Sequence, residues 1–155
     1  MNLDLKVLED HFIRLQGSKI TDFSYNNNVL RLQIATTLAN LLLPRSKNIH
    51  LVLQDCTYLY YISYSQTQEN RIPIKNPDEI FSKGIILQGI ELSDRESDLL
   101  HTKEGFILYC SSYLNLLEAG ELHLKANGFQ VYDQEFGRIS YLDFCKASDL
   151  LKFSI

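Results

Sequence analysis

The chain has 155 residues, 45% hydrophobic and 22% charged, with a formal net charge of −4. That length and balance predict one globular domain able to bury a real core, and they exclude a low-complexity chain. The mild acidity and the lack of any basic run argue against binding to a phosphate backbone, so no nucleic-acid partner is expected.

The opening, MNLDLKVLEDHF, mixes acids with apolar residues, unlike a signal or transit peptide. The charge-free run Leu32 to Pro44, which no other exceeds in length, falls short of the roughly 18 apolar residues that a membrane span needs. A soluble, cytoplasmic protein with no membrane partner is the expectation. From Asn2 to Gln16, Leu5, Leu8, Phe12 and Leu15 recur at helical spacing. Asn2 is the expected cap, and Gly17 can take the left-handed conformation that ends the helix. ITDFSY and VLRLQI then alternate as two strands around Asn26, Asn27 and Asn28, which suit a hairpin turn. Leu38 to Pro44 reads as either a buried loop or a short helical turn stopped by proline.

Asn48 to Tyr64 reads as two strands meeting near Asp55-Cys56. A turn there pairs Leu53 with Tyr58, Leu51 with Tyr60 and Ile49 with Ile62 on one face, and His50 with Tyr61 on the other. Asp-Cys is a poor pair for a tight turn, which leaves a bulge or a longer loop open. Asp78 to Ser82 can form one helical turn. Gly84 to Leu92 is a strand that is apolar on both faces, hence central. Ser93 to Glu104 is a polar connection. Gly105 to Ser112 is a strand with Phe106, Leu108 and Cys110 on one side.

Gly120 to Phe144 carries the clearest local pattern. Asn127-Gly128 supplies the positive φ of a two-residue hairpin, which would pair Leu124 with Val131 and His123 with Tyr132. Gly137 turns the chain, and Ser140 with Asp143 marks the start of a last helix reaching Phe153. Its inner stripe is Phe144, Ala147 and Leu151. Helices beside a mainly antiparallel sheet of eight or nine short strands make the expected class α+β.

The chemistry-bearing residues are dispersed. His11, His50, His101 and His123 have no metal-ligand spacing, and Cys56, Cys110 and Cys145 form no CxxC pair. The cysteines read as buried reduced thiols. With no phosphate-binding loop or nucleophile elbow either, no metal, cofactor or catalytic residue is assigned. Carboxylates converging from distant positions remain a route to a hydrolase or isomerase, with Asp22 and Asp55 the first candidates. Of the cluster Tyr58, Tyr60, Tyr61 and Tyr64, Tyr61 is the candidate for a partner surface. Glu91, Asp94, Glu96 and Asp98 form an acidic stretch suited to a basic partner.

The opening helix, the ITDFSYNNNVLRLQI hairpin, the IHLVLQDCTYLYYI strand pair and the closing LHLKANGFQVYDQEFGRISYLDF segment together resemble small bacterial immunity-type proteins of polymorphic-toxin systems. That resemblance implies an α+β domain that binds and neutralises a toxin without catalysis. The leading expectation is therefore a non-enzymatic protein-binding domain. The alternative is a small-molecule-binding domain whose sheet curls around an apolar pocket.

Overall fold

The computed structural model describes residues 4–67, 69, 71–93 and 105–153. Over them the chain forms an α+β fold of four helices and one nine-stranded antiparallel sheet. Helix α1 (Leu5–Arg14) starts at Asp4, whose carboxylate accepts from the amides of Lys6 and Val7 at 3.0 and 3.3 Å. That cap replaces the expected Asn2, which lies outside the described residues. The chain leaves α1 through Gly17 at φ +88°, as its left-handed tolerance suggested. β1 (Lys19–Asn26) and β2 (Val29–Ala35) form the expected hairpin, with Asn27 and Asn28 at φ 51° and 61°. The apolar run before Pro44 resolves as a short helix, α2 (Ala39–Leu42), with Leu38 and Ala39 buried.

β3 (Asn48–Gln54) and β4 (Tyr58–Ser63) follow, then α3 (Pro77–Phe81), which is capped by Asn76. β5 (Ile85–Ser93) and β6 (Gly105–Ser112) pair along their length. β7 (Ala119–Lys125), β8 (Gly128–Tyr132) and the two-residue β9 (Arg138–Ile139) lead into α4 (Tyr141–Phe153). The Asp143 amide donates to the Ser140 hydroxyl at 3.1 Å, the cap the sequence indicated. The polar connection expected at Ser93 to Glu104 lies, beyond Ser93, outside the described residues.

The strand order is β4-β7-β6-β5-β1-β2-β3-β8-β9, and it overturns both tight turns expected after Gln54 and after Ala126. β3 pairs with β2 and β8, while β4 pairs with β7. The chain does not reverse at Asn127-Gly128, and neither residue is at positive φ. Instead β3 runs on into β4 and β7 runs on into β8, each bending once. The two bends lie side by side: the Asn127 amide donates to the Gln54 carbonyl at 2.9 Å, and the Thr57 amide to the Lys125 carbonyl at 3.2 Å. Between the pairs Gln54–Gly128 and Tyr58–Lys125, three residues on one strand face two on the other. The extra residue is absorbed as a bulge at Asp55, whose φ is +52°.

This corner rolls the sheet. β4, at one end of the strand order, is continuous with β3 near the other end, so the sheet curls on itself. The concave side is filled by Leu8, Phe12 and Leu15 of α1 packed among Leu32, Ile34, Leu51, Phe106, Leu108, Leu122 and Leu124. Phe144 and Ala147 of α4 join the same cluster. The interior is therefore packed by side chains. The free edge of β1 beyond Lys19 is covered by α3, where Phe81 stacks on Phe23 at 4.5 Å.

Candidate functional site

Tyr61 does not face a partner. It is 1% exposed, opposite Leu122 of β7 instead of His50, so its expected place at the surface is corrected. The register fixes this: with β4 laid on β7, Leu59 and Tyr61 share the face of Leu122 and Leu124. Burial raises the Tyr61 phenol above its ordinary range, and the neighbouring Glu118 adds to that. The hydroxyl donates to Glu118 Oε1 at 2.8 Å. The Ser63 hydroxyl donates to the same oxygen at 2.8 Å, and Lys83 Nζ lies 3.7 Å away.

Glu118 closes the connection between β6 and β7, so Tyr61 supports a surface it does not itself form. At the other end of that connection, the Ser112 hydroxyl accepts from the amides of Leu114 and Asn115, both at 3.0 Å. The Asn115 side chain accepts from the Leu117 amide at 3.0 Å, and the Asn115 carbonyl accepts from the Glu118 amide at 3.0 Å. The Tyr113 amide donates to Gly84. Leu114 lies over Gly84, where a Cβ would meet its Cγ at 2.6 Å.

This network holds the loop backbone while its apolar tip stands in water. Leu116 is 97% exposed and Leu117 is 89% exposed, and the half-exposed Tyr113 and exposed Leu114 stand beside them. Lys19 Nζ lies 5.2 Å from the Tyr113 ring, and Arg71 lies 5.0 Å from the ring of Tyr64, next to the loop's C-terminal end. The site is thus an apolar tip on a rigid base with cations around it. The expectations drawn from sequence missed this loop. Its signal was an apolar run, YLNLL, placed where two strand ends leave room only for a connection.

The acidic stretch fares differently. Glu91 is exposed near the far end of β5, where its carboxylate accepts from Tyr109 and helps push that phenol up to about 12. Asp94, Glu96 and Asp98 lie outside the described residues. Asp22 pairs with Arg31 at 2.9 Å, which holds its carboxyl below the usual range. Arg31 also lies 3.2 Å from His50 Nδ1. Asp55 is the bulge residue of the corner.

The three histidines among the described residues are buried, and each has a structural neighbour; His101 lies outside those residues. His50 stacks on Phe136 at 4.0 Å and His123 on Tyr60 at 4.5 Å. Both face a tyrosine across the sheet, as expected, but not the expected one: Tyr132 in place of Tyr61 for His50, and Tyr60 in place of Tyr132 for His123. His11 is 2% exposed among Phe129, Tyr141 and Phe144. Burial lowers the titration of His11 and His50 below the ordinary value. Cys56, Cys110 and Cys145 are reduced thiols; the first two are buried, as expected, whereas Cys145 is only partly buried. No family model, curated protein or solved structure matches this chain.

Proposed function

We propose that this chain is a non-enzymatic protein-binding domain whose contact surface is centred on Leu116 and Leu117. The observation that carries the reading is two adjacent leucines held in water by a loop that is already ordered. Burying a leucine from full exposure is worth about 1.5–3 kcal/mol, so the free protein leaves that gain to a partner. Because the backbone is fixed by Ser112, Asn115 and Glu118, little loop entropy is lost when the tip docks. The partner is a protein with an apolar recess that accepts the two side chains.

In the toxin-neutralising form of the proposal, the partner is apolar where it meets the tip beside Lys19 and Arg71 and basic away from it, where Glu91, Asp94, Glu96 and Asp98 make a second contact. Ile85 pairs with Ser112 at the loop end of the β5–β6 ribbon, and Glu91 pairs with Ile107 towards the other. At about 3.4 Å per residue, those positions are separated by roughly 17 Å, a distance that one standard-sized interface can span.

The test compares native-cell pull-downs made with the wild type and with the double variant Leu116→Asp/Leu117→Asp. The expected result is a discrete partner retained by the wild type and lost from a variant with an unchanged unfolding midpoint. Recovery of the same partner by both proteins contradicts the proposal, and so does the absence of any partner of the wild type.

A further inference from the structure

A cleft of about 320 Å³ lies between α1, β8 and the start of α4. Asp4, Val7 and His11, spaced along one face of α1, form one wall, and Phe129 and Tyr141 are among the residues opposite. His11 is the unusual member, being polar, 2% exposed and yet part of the lining. Its Nδ1 lies 2.8 Å from the Val7 carbonyl, which can only accept, so Nδ1 carries the proton. In the neutral ring Nε2 is then an acceptor, and among the described residues no group donates to it.

The ring is held in place. Phe129 meets it edge-on at 4.8 Å, Tyr141 lies 5.1 Å away, and Phe144 backs it at 4.5 Å. Tyr141 is itself fixed, because its hydroxyl donates to Asp10 at 2.5 Å. The cleft therefore presents Phe129 and Tyr141 beside the fixed His11 acceptor, with Asp4, Gln54, Gln130, Arg138 and Ser140 as the rest of its polar lining. Its volume is at the small end of the range for ligand sites, roughly 300–1,000 Å³.

We propose that this cleft binds a small planar aromatic molecule carrying a ring N–H, which lies against Phe129 and Tyr141 and donates to His11 Nε2. Shape alone would accept any flat ring of that size. The acceptor selects those with a donor, because a ring without one leaves the desolvated nitrogen unpaired. This site is independent of the Leu116–Leu117 surface and stands or falls separately from it.

The experiment titrates ¹⁵N-labelled protein with indole and with benzofuran, its isostere that has oxygen in place of N–H. Binding is followed through the imidazole nitrogens of His11. Indole is expected to saturate and to shift Nε2, with benzofuran about tenfold weaker. In His11→Phe the preference for indole is expected to disappear. Equal binding of the two rings by the wild type overturns the proposal without reference to any variant. Failure of indole to saturate, or saturation that leaves the His11 ring signals unmoved, overturns it as well.

Discussion

Glu118 shows how one side chain can set the geometry of a surface it does not join. It is 8% exposed, and its Oε1 accepts from both Tyr61 and Ser63. A buried carboxylate that loses a donor keeps its desolvation penalty, whereas the missing methyl-sized hydroxyl costs little in packing. Tyr61→Phe is accordingly expected to lose about 1.5–3 kcal/mol of stability, measured by urea unfolding, and to loosen the Leu116–Leu117 loop. A neighbouring constraint is Gly120, where a Cβ would come within 2.4 Å of both the Ile62 carbonyl and the Tyr61 hydroxyl. Glycine at this position lets the tyrosine reach the carboxylate.

Two buried histidines give a second residue-scale expectation. Burial lowers the folded-state pKa of His11 and of His50 below the ordinary 6.5. The hydrogen bond to the Val7 carbonyl and then Asp10 partly offset this at His11, and Gln134 and the nearby Asp22 do so at His50. Between the lowered values and 6.5 the unfolded chain holds more protons than the folded one, so stability rises with pH across that window. Acidification from pH 7.5 to 5.5 is expected to lower the urea midpoint, and less so in His11→Phe. The carboxyls of Asp10 and Asp22 are held below their usual range, so their contribution is lost only at more acid pH.

At the scale of elements, the corner decides the fold. Alternating apolar residues on either side of Asn127-Gly128 suit a hairpin and a bent strand equally, because each keeps Leu122, Leu124 and Val131 facing the core. A hairpin is chosen by local turn chemistry; the bend is chosen by a partner far away in sequence. Here the partner is the β3–β4 strand, whose own bend at Asp55 fits against residues 126 and 127. No local pattern carries that information. Where elements depend on local signals they were legible: the Asn27-Asn28 turn, the Ser140 cap, the inner stripe of α4 and the α+β class. The candidate site was legible only in part. Tyr61 stood out by type, but its direction depended on the pairing with β7, and the exposure of Leu116 depended on the Ser112 and Glu118 anchors. Amide exchange tests the corner. The Asn127 and Thr57 amides, bonded across it, are expected to be protected like those of the flanking strands. Fast exchange at Asn127, as for the centre of a two-residue hairpin loop, would restore the hairpin.

At the scale of the whole molecule, the curled sheet fills its interior with α1 and leaves the two proposed sites outside. The Leu116–Leu117 tip stands at one end of the β5–β6 ribbon, the acidic Glu91 lies towards the other, and the His11 cleft opens beside α4. Other apolar side chains are also exposed, Leu142 on α4 among them, so the exposure of one side chain does not define the contact surface. What separates the loop is that two adjacent leucines stand there, 97% and 89% exposed, against 63% for Leu142. Site-specific photo-crosslinking in the native cell tests this distinction most directly, with the photoreactive residue at position 116 or, as a control, at position 142. The account predicts a discrete protein adduct from position 116 and none from position 142. No adduct at 116, or the same adducts from both positions, would contradict it.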